Sequence, residues 1–299
     1  MDEPRSSLQH ARIILVKIGT EVVNSPEGLL AMGKIGCIVE QIARLHMQGK
    51  QIILVSSGAV AIGRMVLKRQ QMLSGSMQSH LKGYNPAAQG SLNPKACAAA
   101  GQSGMQSLYE VLFSQYHLAC SQILTSDTDF QVPETRENVK QTILSLLQVG
   151  IIPIINENDV VSQRKAPLTD ATNRIAWDND SLASLVAQEL GAELMLLVTD
   201  TAGLADANGA VVHEYNPLQP MQFASTSRVG HHGQLDKVLA CVDAINSGVV
   251  KAAVMLPAAP NSLVHAVEGQ RIGTLFRGPA PLPQPSAPAA APVPPASKL

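Results

Sequence analysis

Residues 11–20 read ARIILVKIGT. Apolar residues follow one another without the polar alternation of a half-exposed strand, and the run stops at a glycine. This is the pattern of a strand buried on both faces, as in a parallel sheet covered by helices. One residue breaks the run. Lys17 stands near its end, where an ammonium group is costly to desolvate unless it meets an anion. The alternative is a side chain that snorkels past the strand end to water.

Working outward, the same kind of run recurs at 51–59 (QIILVSSGA), 119–126 (ACSQILTS), 150–159 (GIIPIINEND), 193–200 (ELMLLVTD) and 250–257 (VKAAVMLP). GTLF at 273–276 predicts a last short strand. Helical patterns lie between the runs. Residues 33–47 put Ile35, Ile38, Val39, Ile42 and Leu45 on one face. Residues 59–68, 94–116, 134–149, 178–191 and 234–248 also read as helices, and Leu182, Leu185, Val186 and Leu190 form the apolar face of 178–191. Strands alternating with helices predict an α/β fold with a parallel sheet covered on both sides. Residues 70–94 lose the pattern and read as a long surface loop or insertion. Residues 160–175 read as a hairpin or loop. Beyond 278 the chain is a Pro/Ala tract, expected to be an extended tail of 279–299 after one domain of 1–278.

Composition narrows the function. The 299 residues are 45% hydrophobic but only 3% aromatic, so the core is aliphatic. The formal net charge of −1 argues against a general nucleic-acid binder. The polar N-terminus is not a secretory signal, and no apolar run is long enough to span a membrane, so a cytoplasmic protein is expected. Cys37, Cys97, Cys120 and Cys241 are far apart in apolar runs and read as small buried thiols, not as a zinc or disulfide framework. No metal-binding residues are expected from the sequence.

In open parallel sheets, ligands bind beyond the carboxyl ends of the strands. Polar residues cluster at those ends: Lys17, Gly19 and Thr20; Ser56, Ser57 and Gly58; Asn156, Asn158 and Asp159; Thr199 and Asp200. Each is compatible with a plain turn, but their recurrence favours a site. The stretch WDNDSLASL adds Asp178, Asn179 and Asp180 at a helix start. Capping needs one such residue, which leaves two for another role. Carboxylates beside lysines suit phosphoryl transfer, where positive charge offsets the transferring group. No GxxxxGK[ST] loop, strand-bound GxGxxG, GxSxG or HExxH motif is present.

The ordered motifs VKIGTEVV, ILVSSGAVAIG, ACAAAGQSGM, RENVKQTI, IIPIINENDVV, DNDSLASLVA, LLVTDTAGL, SRVG..G..DK and GTLF run from residue 16 to residue 276 and cover roughly residues 10–277. On these, the chain resembles the amino acid kinase family. Within it, the chain is similar to the glutamate 5-kinase branch, and most similar to the kinase half of the eukaryotic pyrroline-5-carboxylate synthases. The resemblance implies an αβα sandwich with a mainly parallel central sheet. It implies transfer of the γ-phosphoryl of ATP, with Mg²⁺, to the side-chain carboxylate of L-glutamate, the first step of proline synthesis. By the same resemblance, Lys17 and Lys237 match the phosphate-binding lysines and Asp180 the acid that orients them. Ser57, Gly58, Asp159 and Asn179, with Asn156 nearby, match the glutamate site. Gly19, Thr199, Asp200, Gly230 and Gly233 join the two lysines at the nucleotide. A homo-oligomer, dimer or tetramer, is expected, as is proline feedback through the glutamate pocket or residues 65–94. No counterpart of a reductase half or of an RNA-binding-like C-terminal domain is seen, so only the kinase step is implied.

The chain departs from the family in one loop. Where a glycine-rich phosphate loop is usual, residues 230–237 read GHHGQLDK, with His232 replacing a glycine and Gln234 a methionine. The stretch reads as a modified phosphate loop; metal binding by His231 and His232, or an ordinary helix start, are the alternatives. Trp177 also stands where a small or polar residue is common. Two other functions compete with a glutamate kinase: a kinase for another carboxylate or carbamate, and a kinase-like binding protein without turnover.

Overall fold

The computed structural model describes residues 5–25, 27–81, 92–162, 178–216 and 231–277. A short 3₁₀ turn, Ser6–His10, precedes β1 (Ile13–Ile18), and α1 (Thr20–Val23) and α2 (Met32–Met47) follow. Next come β2 (Gln51–Ser56), α3 (Ala59–Leu81), α4 (Pro94–Ser114) and β3 (Cys120–Thr125). The chain continues through α5 (Asp127–Gln131), α6 (Pro133–Gln148), β4 (Ile152–Glu157), α7 (Asn179–Glu189) and β5 (Leu194–Thr199). It closes with β6 (Glu214–Tyr215), α8 (His231–Asn246), β7 (Ala252–Pro257), α9 (Ser262–Val267) and β8 (Thr274–Arg277).

The strands form one sheet in the order β3-β4-β2-β1-β5-β7-β8-β6. All neighbours run parallel except β7 and β8, which are antiparallel. The strand opened by ARIILVKIGT is thus central, between β2 and β5, and the strand order turns in opposite directions on its two sides. A crevice opens at such a switch point, outside the strand ends.

Alternation along β1 assigns the two faces of the sheet. Ile14, Val16 and Ile18 join a core with Ile35, Ile38 and Val39 of α2, Tyr109 and Phe113 of α4, and Leu263 of α9. Leu15 joins the opposite core, with Ile143 of α6, Leu182 and Val186 of α7, and Val238 and Cys241 of α8. The architecture is the expected αβα sandwich. Lys17, two residues after Leu15, falls on the α7/α8 face by the same period of two.

Three sequence expectations are corrected. Residues 70–81 are not loop but the last turns of α3. Gln, Met and Leu favour helix intrinsically, while Met72 and Leu73 are exposed, so these two apolar residues mark no buried face. Second, α8 begins at His231, not Gln234, so the 230–237 stretch is helical over nearly all its length. Third, only Cys97 and Cys241 are buried; Cys37 and Cys120 are partly exposed, and all four are unbridged. The short elements α1, α5, α9 and β6 carry too few residues for a periodic signal. The 160–175 loop falls almost wholly outside the described residues, as does the 279–299 tail. Among the described residues, no helix is long and apolar enough to cross a membrane.

Two glycines set how α3 meets α4. A Cβ on Gly63 would lie 1.7 Å from the Cys97 carbonyl oxygen, and one on Gly101 would lie 1.9 Å from that of Ala59. The two backbones are in direct contact, which only glycine permits.

Candidate active site

The three polar residues at the start of α7 divide their work. Asp178 is the cap: its side chain accepts from the backbone N–H of Asp180 at 3.0 Å and of Ser181 at 2.9 Å. That leaves Asn179 and Asp180 free of capping duty. Asp180 is directed at the sheet and forms an ion pair with Lys17, both side chains being almost fully buried. Lys17 therefore does not snorkel; it meets an anion, the first of the two readings. Burial pushes the Asp180 carboxyl above its ordinary value, with Lys17 and Lys237 pulling it back.

Lys237 lies in the second turn of α8. Its Nζ is 3.1 Å from Oε1 of Glu21, with side chains 16% and 29% exposed. Burial works to lower the Lys237 pKa, but Glu21, Asp180 and Asp200 outweigh it and hold the ammonium above its ordinary value. The converse holds for Glu21: burial works to raise it, and Lys237 and Lys17 bring it below the usual carboxylate value. Two lysines and two carboxylates thus gather at the carboxyl end of β1. Sequence reasoning found three of the four; Glu21, in GTEVV, had no signal beyond being an acid one turn from Lys17.

A cavity of about 530 Å³ adjoins this cluster. Ser57, Gly58, Asp159 and Asn179 line it, together with Thr20. Gly58 has φ +122°, a conformation that suits glycine, and it turns the chain from β2 into α3. The Oδ1 of Asn179 is buried and has no hydrogen-bond partner among the described residues. Arg64 and Lys95 stand on the same wall; neither was singled out in the sequence.

The remaining expected residues scatter more. Asn156 is buried at the end of β4, donates from Nδ2 to Gln102 Oε1 at 3.0 Å, and does not line the cavity. Thr199 is buried, and its hydroxyl donates to the Thr201 carbonyl at 2.9 Å, closing the turn after β5. Asp200 is exposed, and Gly19 caps α1. Gly233 lies in the first turn of α8, while Gly230 and Trp177 fall outside the described residues.

A family model described as "Amino acid kinase family" matches residues 12–255. The chain belongs to the amino acid kinase family. Among its relatives, "Delta-1-pyrroline-5-carboxylate synthase 1" of Oryza sativa subsp. japonica is 40% identical over 285 residues, covering 92% of this chain and 39% of that protein. The chain therefore spans well under half the length of that relative. "Glutamate 5-kinase" of Herminiimonas arsenicoxydans is 32% identical over 280 residues, covering 90% of this chain and 68% of that protein. Among solved structures, the carbamate kinase of Giardia lamblia bound to AMP-PNP superposes with a TM-score of 0.59 at 12% identity, over 91% of this chain and all of that one. At that identity the likeness speaks for the amino acid kinase fold alone.

Proposed function

We propose that the chain transfers the γ-phosphoryl of ATP to the side-chain carboxylate of L-glutamate. One observation carries the reading: the buried Lys17–Asp180 pair and Lys237 stand together at the central strand end, beside a cavity lined by Ser57, Asp159 and Asn179. The glutamate 5-kinase and pyrroline-5-carboxylate synthase relatives support the choice of acceptor.

The chemistry suits these groups. A carboxylate acceptor is already ionised near neutral pH and needs no general base. Its oxygen attacks the γ-phosphorus, the bond to the β,γ-bridging oxygen breaks, and ADP leaves with that electron pair. The product is an acyl phosphate. Two anions must be brought together, so positive charge and alignment are what the protein supplies. Lys17 and Lys237 offset charge on the phosphates, and the ion pair with Asp180 keeps Lys17 aimed. The unpartnered Asn179 oxygen and the Asp159 carboxylate are suited to the ammonium of an amino acid. Two lysines beside the Gly19 backbone fit a polyphosphate. Among the described residues no group of three or more His, Cys, Asp or Glu is arranged to hold a metal ion. Mg²⁺ entering with the triphosphate would neutralise phosphate charge.

The test is glutamate-dependent ATP turnover with hydroxylamine trapping the acyl phosphate. Hydroxamate from glutamate, absent in Lys237→Ala, is the expected result. Turnover only with another carboxylate or with carbamate would overturn the substrate. Nucleotide and glutamate binding without turnover would make the chain a kinase-like binder.

A further inference from the structure

The Lys237–Glu21 pair is not needed to explain phosphoryl transfer, and its placement is informative. The Glu21 carboxylate folds back over the strand end. A Cβ built on Gly19 would lie 2.3 Å from one of its oxygens and 2.4 Å from the other. It therefore fills the space that a glycine leaves open for close approach to the backbone. It does so while holding Nζ of Lys237 at 3.1 Å.

Counting charges gives the consequence. Lys17 and Lys237 bring two positive charges to the strand end, and Asp180 and Glu21 bring two negative ones. These four charges cancel, and Asp200 adds a further negative charge acting on Lys237, so with both carboxylates in place the cluster offers an incoming phosphate no net attraction. The two carboxylates differ in freedom. The side chain of Asp180 is 8% exposed, that of Glu21 29%. Val22 and Val23 behind Glu21 are buried, so the backbone is anchored while the carboxylate has a way out to water. We propose that Glu21 is an internal occupant of the phosphate seat, displaced from Lys237 and Gly19 when a nucleotide binds, and so a residue that sets nucleotide affinity. This rests on reading the cluster as a nucleotide-phosphate seat.

Binding of MgATP, measured by calorimetry on the full chain, tests it with wild type, Glu21→Gln, Lys237→Met and the double variant. Glu21→Gln keeps the shape and removes the charge. It is expected to lower Kd by roughly fivefold, the scale of one partly exposed ion pair. The gain should vanish in the Lys237→Met background, because the competition is for that ammonium. Thermal unfolding confirms that each variant is folded, and Glu21→Ala repeats the test should Gln retain the contact. An unchanged Kd in a folded Glu21→Gln overturns the inference and leaves the kinase reading standing. A weaker Kd overturns it as well, and makes Glu21 a positioning residue for Lys237. A gain that persists without Lys237 overturns the displacement from that lysine. No MgATP binding by any of the four proteins would instead overturn the nucleotide reading itself.

Discussion

The site holds two lysine–carboxylate pairs that look alike on paper and differ physically. Lys17–Asp180 lies between a central strand and the first turn of α7, with side chains 4% and 8% exposed. Lys237–Glu21 bridges α8 and the one-turn helix α1 and is less completely buried, with side chains 16% and 29% exposed. A sealed pair cannot lose a member without stranding a charge, whereas an open pair can exchange its partner for solvent or for a ligand. One pair is therefore part of the frame and the other is available for exchange.

Breaking the sealed pair should have the largest effect. Asp180→Ala leaves the Lys17 ammonium buried without its partner, at a cost of about 3–5 kcal/mol. Urea denaturation should show that loss together with abolished turnover. Lys17→Met strands the Asp180 carboxylate in the same way and should likewise cost stability while abolishing turnover. If Asp180→Ala is as stable as wild type, the pair is not sealed and the contrast collapses.

Lys237→Ala should reverse the balance of effects. Its pair is partly exposed, so stability should fall by no more than about 1 kcal/mol. Turnover should fall by roughly 10²–10³, the loss typical of removing one charge-stabilising donor. Comparing kcat with the urea midpoint for Asp180→Ala and Lys237→Ala sharpens the distinction between frame and exchangeable group.

A change in the scaffold separates charge from shape. Gly63→Ala forces a methyl against the Cys97 carbonyl where α3 crosses α4, and should cost about 1–3 kcal/mol by overpacking. Val60, Ala61 and Arg64 of α3 line the cavity proposed for the acceptor. The expected kinetic change is therefore a raised KM for the acceptor, with the ATP dependence nearly unchanged. A larger change in the ATP dependence would mean that the lysine pairs lean on this crossing.

The same contrast explains what the sequence revealed. Lys17 was legible because a charge near the end of an apolar strand is anomalous, and Asp180 because three polar residues exceed what a cap requires. Both belong to the sealed pair, where burial forces the sequence to look unusual. Glu21 belongs to the open pair, in a short polar-to-apolar turn that looks ordinary. Exposed structure left equally little trace. In α3, Met72 and Leu73 are exposed, and β6 pairs over only two residues. The strands were legible as unbroken apolar runs buried on both faces, and the helix faces because each repeats a period against a buried surface.

The smallest effect concerns pH and isolates the open pair. Glu21 has its folded pKa below the ordinary 4.5, so its contribution is present above the unfolded value and lost as pH falls through the folded one. Lys237 has its folded pKa above the ordinary 10.5; its contribution is present below that value and lost as pH rises through the folded one. The pair should thus add a constant increment between about pH 5 and pH 10, at most about 1 kcal/mol. The difference in unfolding free energy between wild type and Glu21→Gln should be flat across that window and vanish on acidification below pH 4. A difference that instead grows on acidification would mean that the folded Glu21 pKa lies above its unfolded value. The fold would then disfavour its charge, and Lys237 would not be stabilising it as an ion-pair partner.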